Sequence, residues 1–203
     1  PMAARRDPLH NPLALAVLAY LVERPMHPYE LGKLLEERNA GRSIDYKYSS
    51  LYMVVNQLVR AGYIEALGSE RGGRRPERTV YRNTESGSER LRERMRELVS
   101  VPAKEYRQFE AALSLVVVLS PDEVPALLDQ RHRALVEQAE QQRAAIRAAS
   151  DVDPLFLIEY HYRLELLEAE QRFVERFRAH IRQDSAVLDS FWRRLHARRA
   201  TPG

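Results

Sequence analysis

Between Leu67 and Arg82 the chain reads LGSERGGRRPERTVYR, and within Arg71–Arg82 it sets five arginines against one glutamate, Glu77. Guanidinium groups at this density suit one task above others: neutralising and hydrogen-bonding anionic oxygens, phosphates especially, through a planar fork of N–H donors. Three settings would use such a stretch. It reads as a flexible linker, as a glycine-rich cradle for a nucleotide phosphate, or as a turn that presents cations to a polyanion. The pair Gly72-Gly73 lacks the Lys-Ser/Thr and the preceding parallel strand of a phosphate-binding loop. The charge excess is local. Residues 1–99 carry 17 Lys/Arg against 13 Asp/Glu, whereas residues 100–203 carry 15 against 16.

Other chemistry is thinly represented. There is no cysteine, which excludes disulfides, thiolate catalysis and cysteine-based zinc sites. His132, His161, His180 and His196 show no metal-ligand spacing, and the sequence contains neither G-x-S-x-G nor H-E-x-x-H. The run DVDP at 151–154 is explained as a helix start rather than a cation site. The paired carboxylates Glu168 and Glu170 do not by themselves specify a reaction. The expectation is a chain with no catalytic residues, no metal and no cofactor. No apolar run approaches the roughly 20 residues a membrane span needs, and the opening PMAARRDPLHNP lacks the apolar core of a signal peptide. A cytoplasmic protein is expected.

The arginine run must be positioned by what surrounds it. Asn11-Pro12 is a helix start, with asparagine as cap and proline at the first helical position, and LALAVLAYLVE follows. His27-Pro28 opens a second helix, YELGKLLEERN, with His27 read as a cap or turn residue. Ser49 or Ser50 caps a third, LYMVVNQLVRA, whose Leu51, Val54, Val55 and Leu58 recur at helical spacing and which ends at Gly62. YIEAL at 63–67 and RTVYR at 78–82 read as two strands of a hairpin joined by the glycine-arginine loop. Thr84 caps a fourth helix to about Leu98. The order helix, helix, helix, strand, loop, strand, helix is that of a winged helix-turn-helix. Such a module puts its third helix in the DNA major groove and its wing along the backbone or minor groove. On that reading Lys47, Ser49, Ser50, Tyr52 and Asn56 face base edges and phosphates, with Ser49 also a candidate cap. Tyr29 reaches phosphate from the second helix, and Arg71, Arg74, Arg75 and Arg78 neutralise phosphates or enter the minor groove.

The remainder reads as helical. AKEYRQFEAALSLVVVL (103–119) is one predicted helix. Ser120, Pro121 and Glu123 start a long one to about Ala149, whose seam is Val124, Leu128, Leu135, Ala139 and Ile146. Asp153-Pro154 starts another to about Arg182, with the stripe Leu155, Ile158, Tyr162, Leu166, Ala169, Phe173, Phe177 and Ile181. SAVLDSFWRRLHARR closes the chain. Long thin helices do not bury such stripes alone, and a second copy is the expected partner. Tyr106, Phe109, Phe156, Tyr160 and Trp192 are candidate walls for an aromatic effector, set against a plain packing role.

PMHPYELGKLLEER, SSLYMVVNQLVRAGYIE, GGRRPERTVY and YRNTESG resemble, in order and spacing, the PadR family of bacterial transcriptional regulators. The family pattern falls on Pro25-Met26-His27-Pro28-Tyr29-Glu30, on Leu51-Tyr52 with Leu58, Gly62 and Ile64, and on Tyr81, Thr84 and Gly87. The resemblance covers residues 13–95 strongly and the helical remainder in layout. Pro28 replaces a glycine, Met53 stands where proline is frequent, Ser49 stands where a small glycine is usual, and Asn83 replaces an apolar residue. Asn83 is therefore expected to loosen the wing from the fourth helix. The resemblance implies a homodimer that binds operator DNA, usually represses, and in many members releases DNA on binding a small molecule, a phenolic acid or aromatic compound among them.

The expected fold is mainly α. Residues 1–99 form a winged helix-turn-helix DNA-binding domain with a two-stranded β-hairpin wing, and residues 100–203 form a long-helix dimerisation and effector region. The expected partners are operator DNA, a second copy and a small aromatic effector, with no membrane. The rival expectation is a protein-interaction adaptor that reuses the winged-helix fold without DNA.

Overall fold

The computed structural model describes residues 7–38, 43–44, 47–70, 78–183 and 188–200. The chain divides into two compact units, Pro1–Lys104 and Glu105–Gly203.

In the first unit a 3-10 turn at Pro8–His10 leads into α1 (Pro12–Glu23), α2 (Pro28–Glu37) and α3 (Tyr48–Arg60). The hairpin β1 (Ile64–Glu70) and β2 (Arg78–Asn83) follows, then α4 (Glu85–Ser100). The starts carry the caps their residue types favour. The Asn11 side chain accepts from the Leu13 N–H at 3.0 Å. His27 and Glu30 form a reciprocal capping box: the Glu30 N–H donates to His27 Nδ1 at 3.3 Å and the His27 N–H to Glu30 Oε2 at 3.2 Å. Thr84 Oγ1 accepts from the Gly87 N–H at 3.0 Å. At the end of α3, Gly62 has φ of +74°. The Tyr63 N–H returns to the Leu58 carbonyl and the Gly62 N–H to Val59, both at 3.0 Å, a Schellman closure that needs the left-handed residue.

The helices converge on one apolar core. Leu13, Leu18, Leu31, Leu35, Leu51, Leu58 and Ile64 are buried in it, each on the inward face of its element. Complete burial of such a side chain contributes about 1.5–3 kcal/mol. The hairpin is antiparallel, pairing Ile64 with Asn83, Glu65 with Arg82 and Ala66 with Tyr81, and its register shifts between Ala66 and Ser69. Met26 exchanges two backbone hydrogen bonds with Tyr81, at 3.0 and 2.9 Å, which stitches the wing to the α1–α2 turn. The Asn83 amide donates to the Leu18 carbonyl at 2.9 Å and ties the end of β2 to α1.

The second unit contains α5 (Gln108–Ser114), a 3-10 turn at Val116–Val118, α6 (Val124–Ala148), a 3-10 turn at Pro154–Leu157, α7 (Ile158–Gln183) and α8 (Leu188–Ala200). The single helix predicted over 103–119 is much shorter. Residues 103–107 are not helical, and after α5 only the 3-10 turn through the three valines follows; β-branched residues lose side-chain freedom in a helix. α6 and α7 pack as an antiparallel pair, α7 being about 40 Å long at 1.5 Å per residue. The α6 seam of Val124, Leu128, Leu135 and Ala139 is covered inside the chain, with Val174, Leu167, Phe177, Ile181 and Trp192 in the same core. It does not wait for a second copy. Polar side chains lace the pair. Arg143 meets Glu168 and Arg131 meets Glu170, both at 2.6 Å; Arg178 and Arg182 share Asp129; Gln171 donates to the Leu135 carbonyl at 2.8 Å. The predicted stripe is thereby divided: Phe177 and Ile181 pack into the shared core, whereas Leu155, Ile158 and Tyr162 are 66%, 60% and 62% exposed. Among the described residues no helix is long and apolar enough to cross a membrane, and no cluster of His, Asp and Glu suits a metal ion.

Candidate nucleic-acid interface

α3 has two unlike faces. Leu51, Val54, Val55 and Leu58 are buried, which fixes the helix and turns Ser49, Tyr52, Met53, Asn56 and Arg60 outward, all exposed. The start differs from expectation. The helix begins at Tyr48, so Ser49 and Ser50 lie inside the first turn instead of capping it. Lys47 occupies the cap position and makes no side-chain capping bond. The first-turn N–H groups carry the partial positive charge of the helix terminus, and Lys47 adds a full one. No Asp or Glu occurs between Lys47 and Tyr63. Lys47 and Arg60 have no carboxylate partner among the described residues. A face with hydroxyl, amide and phenol groups, two cations and no anion is chemically suited to phosphates and base edges.

Tyr52 is 48% exposed, and its ring lies 5.8 Å from that of Tyr48. Tyr29 stands in the first turn of α2, 56% exposed, with its ring 6.0 Å from His27. Beneath it, Glu30 binds Arg24 at 3.2 Å. Burial pulls the Glu30 carboxyl upward, but the hydrogen bond from the His27 N–H and the Arg24 guanidinium outweigh it and hold the carboxyl below its ordinary value. Lys47, Ser49, Ser50, Tyr52 and Asn56 thus share one helix, and Tyr29 lies on its neighbour.

On the wing, Arg71, Arg74 and Arg75 lie outside the described residues, and Arg78 enters as the first residue of β2, opposite Glu70. Arg82 is committed to the hairpin, donating to Glu65 at 2.8 Å across the strands. Sequence reading missed Arg60 and Met53. The signal for Arg60 was its place four residues beyond Asn56, on the same outward line.

The five aromatic candidates of the second unit are not brought together. Tyr106 is 88% exposed, Phe156 is exposed, and Trp192 is buried with its indole N–H donating to the Leu119 carbonyl at 2.8 Å. The Tyr160 carbonyl accepts from Gln142. Phe109 alone lines a groove of about 550 Å³, with Leu113, Arg131, Leu166, Glu170 and Phe173 among its other walls. The Arg131 guanidinium lies over the Phe109 ring at 3.5 Å.

This geometry has counterparts among known proteins. Residues 17–93 match the model of the transcriptional regulator PadR-like family. Bacillus subtilis PadR in complex with operator DNA is similar in fold, with 18% identity, 83% of this chain and 98% of that chain covered, and a TM-score of 0.64. The same Bacillus subtilis protein in complex with p-coumaric acid gives 18% identity, 84% and 99% coverage, and 0.68. The protein smu.1604c from Streptococcus mutans UA159 gives 19%, 83% and 99%, and 0.55. No curated protein sequence matches the chain. The matched segment runs from α1 into α4 and takes in both the outward face of α3 and the hairpin, so it is the N-terminal unit of this chain that is similar to the transcriptional regulator PadR-like family.

Proposed function

We propose that the chain is a sequence-specific DNA-binding transcriptional regulator, a homodimer that represses and is released by a small aromatic effector. Residues 1–99 bind operator DNA, and residues 100–203 supply dimer contacts and the effector site. The observation that carries this reading is the outward face of α3: an uncapped start beside Lys47, then Ser49, Ser50, Tyr52, Asn56 and Arg60, with no carboxylate. Tyr29 and the wing arginines Arg71, Arg74, Arg75 and Arg78 add phosphate contacts around it.

Dimerisation is supported by the apolar stripe that a single chain leaves exposed on α7, since contiguous apolar surface of this kind marks interaction sites. Two copies of α3 would then address successive major grooves about 34–36 Å apart. The effector is supported by the aromatic-walled groove at Phe109 and Phe173, and by the p-coumaric acid complex of the Bacillus subtilis protein.

The test is a binding titration on the DNA upstream of the chain's own gene, against a scrambled duplex, over a range of salt. The wild-type chain should prefer the upstream DNA, and phenolic acids should weaken that binding. Replacing Arg71, Arg74, Arg75 and Arg78 by alanine should lower the log–log salt slope by up to about 3–4, since each phosphate contact contributes about 0.9. An unchanged slope removes the wing from the interface. Light scattering at the mass of one chain would refute the dimer.

A further inference from the structure

Gly32 lies within α2 and is buried. Its φ is not in the left-handed region, so its conformation does not call for glycine. Its surroundings do. A Cβ at this position would meet Cε2 of Tyr48 at 2.7 Å, and Cζ and Oη of the same ring at 3.2 Å. The Tyr48 ring lies in the notch left by the missing side chain.

Tyr48 is the first residue of α3, and Lys47 before it gives no side-chain cap. The start of the helix is held from outside, by a ring seated on a neighbouring helix, instead of from within by a hydroxyl or carboxylate. The same ring lies 5.8 Å from Tyr52, so the seated residue also flanks the exposed phenol one turn on.

We infer that Gly32 and Tyr48 form a seat that sets the position of the first turn of α3, and that both are positioning residues for its DNA-reading face. The inference rests on the reading of α3 given under Proposed function. A methyl group at Gly32 displaces the ring by about 0.7 Å, from 2.7 Å to the 3.4 Å of ordinary contact, whereas binding constellations tolerate about 0.5 Å. The positioning role requires that this displacement pass to the backbone of the turn, moving Lys47, Ser49, Ser50 and Tyr52, instead of being absorbed by rotation of the ring, which is 38% exposed.

The test is a double-mutant cycle of Gly32→Ala and Tyr48→Ala in the full chain, with two readouts. One is affinity for a duplex that the wild-type chain selects from a random pool. The other is amide hydrogen exchange at residues 49–53 without DNA. Gly32→Ala should weaken binding about tenfold, the scale of one well-placed base contact, and should speed exchange in the first turn while α1 and the hairpin stay as in wild type. In the Tyr48→Ala background, Gly32→Ala should cost no further affinity and should leave exchange at residues 49–53 unchanged, because the ring it would displace is gone. Additive effects overturn the seat. So does a Gly32→Ala chain that melts earlier with affinity and first-turn exchange unchanged. A wild-type chain that selects no duplex refutes the DNA reading and with it the positioning role, and the exchange cycle then decides the seat by itself.

Discussion

Gly87→Ala isolates the joint between the wing and α4. Gly87 is the third residue of α4, and a Cβ on it would lie 2.0 Å from the Tyr63 carbonyl oxygen, 2.8 Å from its carbon and 2.9 Å from its Cα. These are backbone atoms, so no side chain can swing aside. Relief requires about 1 Å of separation between the start of α4 and the residue before β1, an overpacking that costs about 1–3 kcal/mol. That separation strains the bonds converging there: the Thr84 hydroxyl donates to Gly62 O at 2.7 Å, the Thr84 N–H donates to Tyr63 O at 3.0 Å, and the Gly87 N–H donates to Thr84 Oγ1. Loss of this cap costs about 1 kcal/mol. Alanine's helix propensity returns about 1 kcal/mol. The net is a destabilisation on the order of 2 kcal/mol, or about 10 °C in the melting of a unit of this size. Calorimetry or far-UV circular dichroism measures it, and hydrogen exchange of β1 and α4 amides assigns it to the first unit. A melting temperature unchanged or raised, as for Gly→Ala in an uncrowded helix, would refute the close approach.

Arg60→Ala should weaken binding about equally across DNA sequences and lower the salt slope by about 1; an unchanged slope in a salt titration removes Arg60 from the interface. The acid limb of stability is set by carboxylates. Burial pulls Asp7 upward, but the Leu9 N–H and Arg90 hold it below its ordinary 3.8, and Glu30 sits below its ordinary 4.5. A depressed folded value means stability that is complete above the unfolded values and is lost as pH falls through the folded ones. Circular dichroism against pH should therefore stay flat until near those ordinary values and then fall. Asp7→Asn should be less stable at neutral pH and shallower on the acid side, and a limb that begins above about pH 6, in the histidine range, would contradict the assignment.

The winged helix was legible where local chemistry decides the element. Asn11-Pro12, His27-Pro28 and Thr84 start helices because their side chains accept first-turn N–H bonds, and Gly62 ends one because it alone tolerates the left-handed turn. The start of α3 was not legible. Two serines looked like caps, but the helix begins at Tyr48 because a ring finds a notch on α2, a contact 16 residues away in sequence. The first part of the stripe ending in α7 was misread for a related reason, while Phe177 and Ile181 do face the core. Its apolar spacing favours the stripe through Leu155, Ile158 and Tyr162, whereas Glu168, Glu170, Gln171 and Arg178 have partners on α6 and turn a more polar face inward. A hydrophobic pattern does not register ion pairs that form only once two helices meet. At the candidate site, the outward line of α3 followed from the inward one. Arg60 continues that outward line one turn beyond Asn56, at the end of α3 instead of its start.

Trp192 is the only tryptophan in the 203 residues, and it is buried against the carbonyl of Leu119. Its emission is therefore a native optical label of the second unit alone, sensitive to anything that opens the 115–119 turn to water. The first unit contains tyrosines but no tryptophan, so selective excitation of the indole leaves it dark. A DNA titration that shifts the emission would measure communication from one unit to the other. An effector titration that shifts it without DNA would report events within the second unit, and neither experiment needs an added dye.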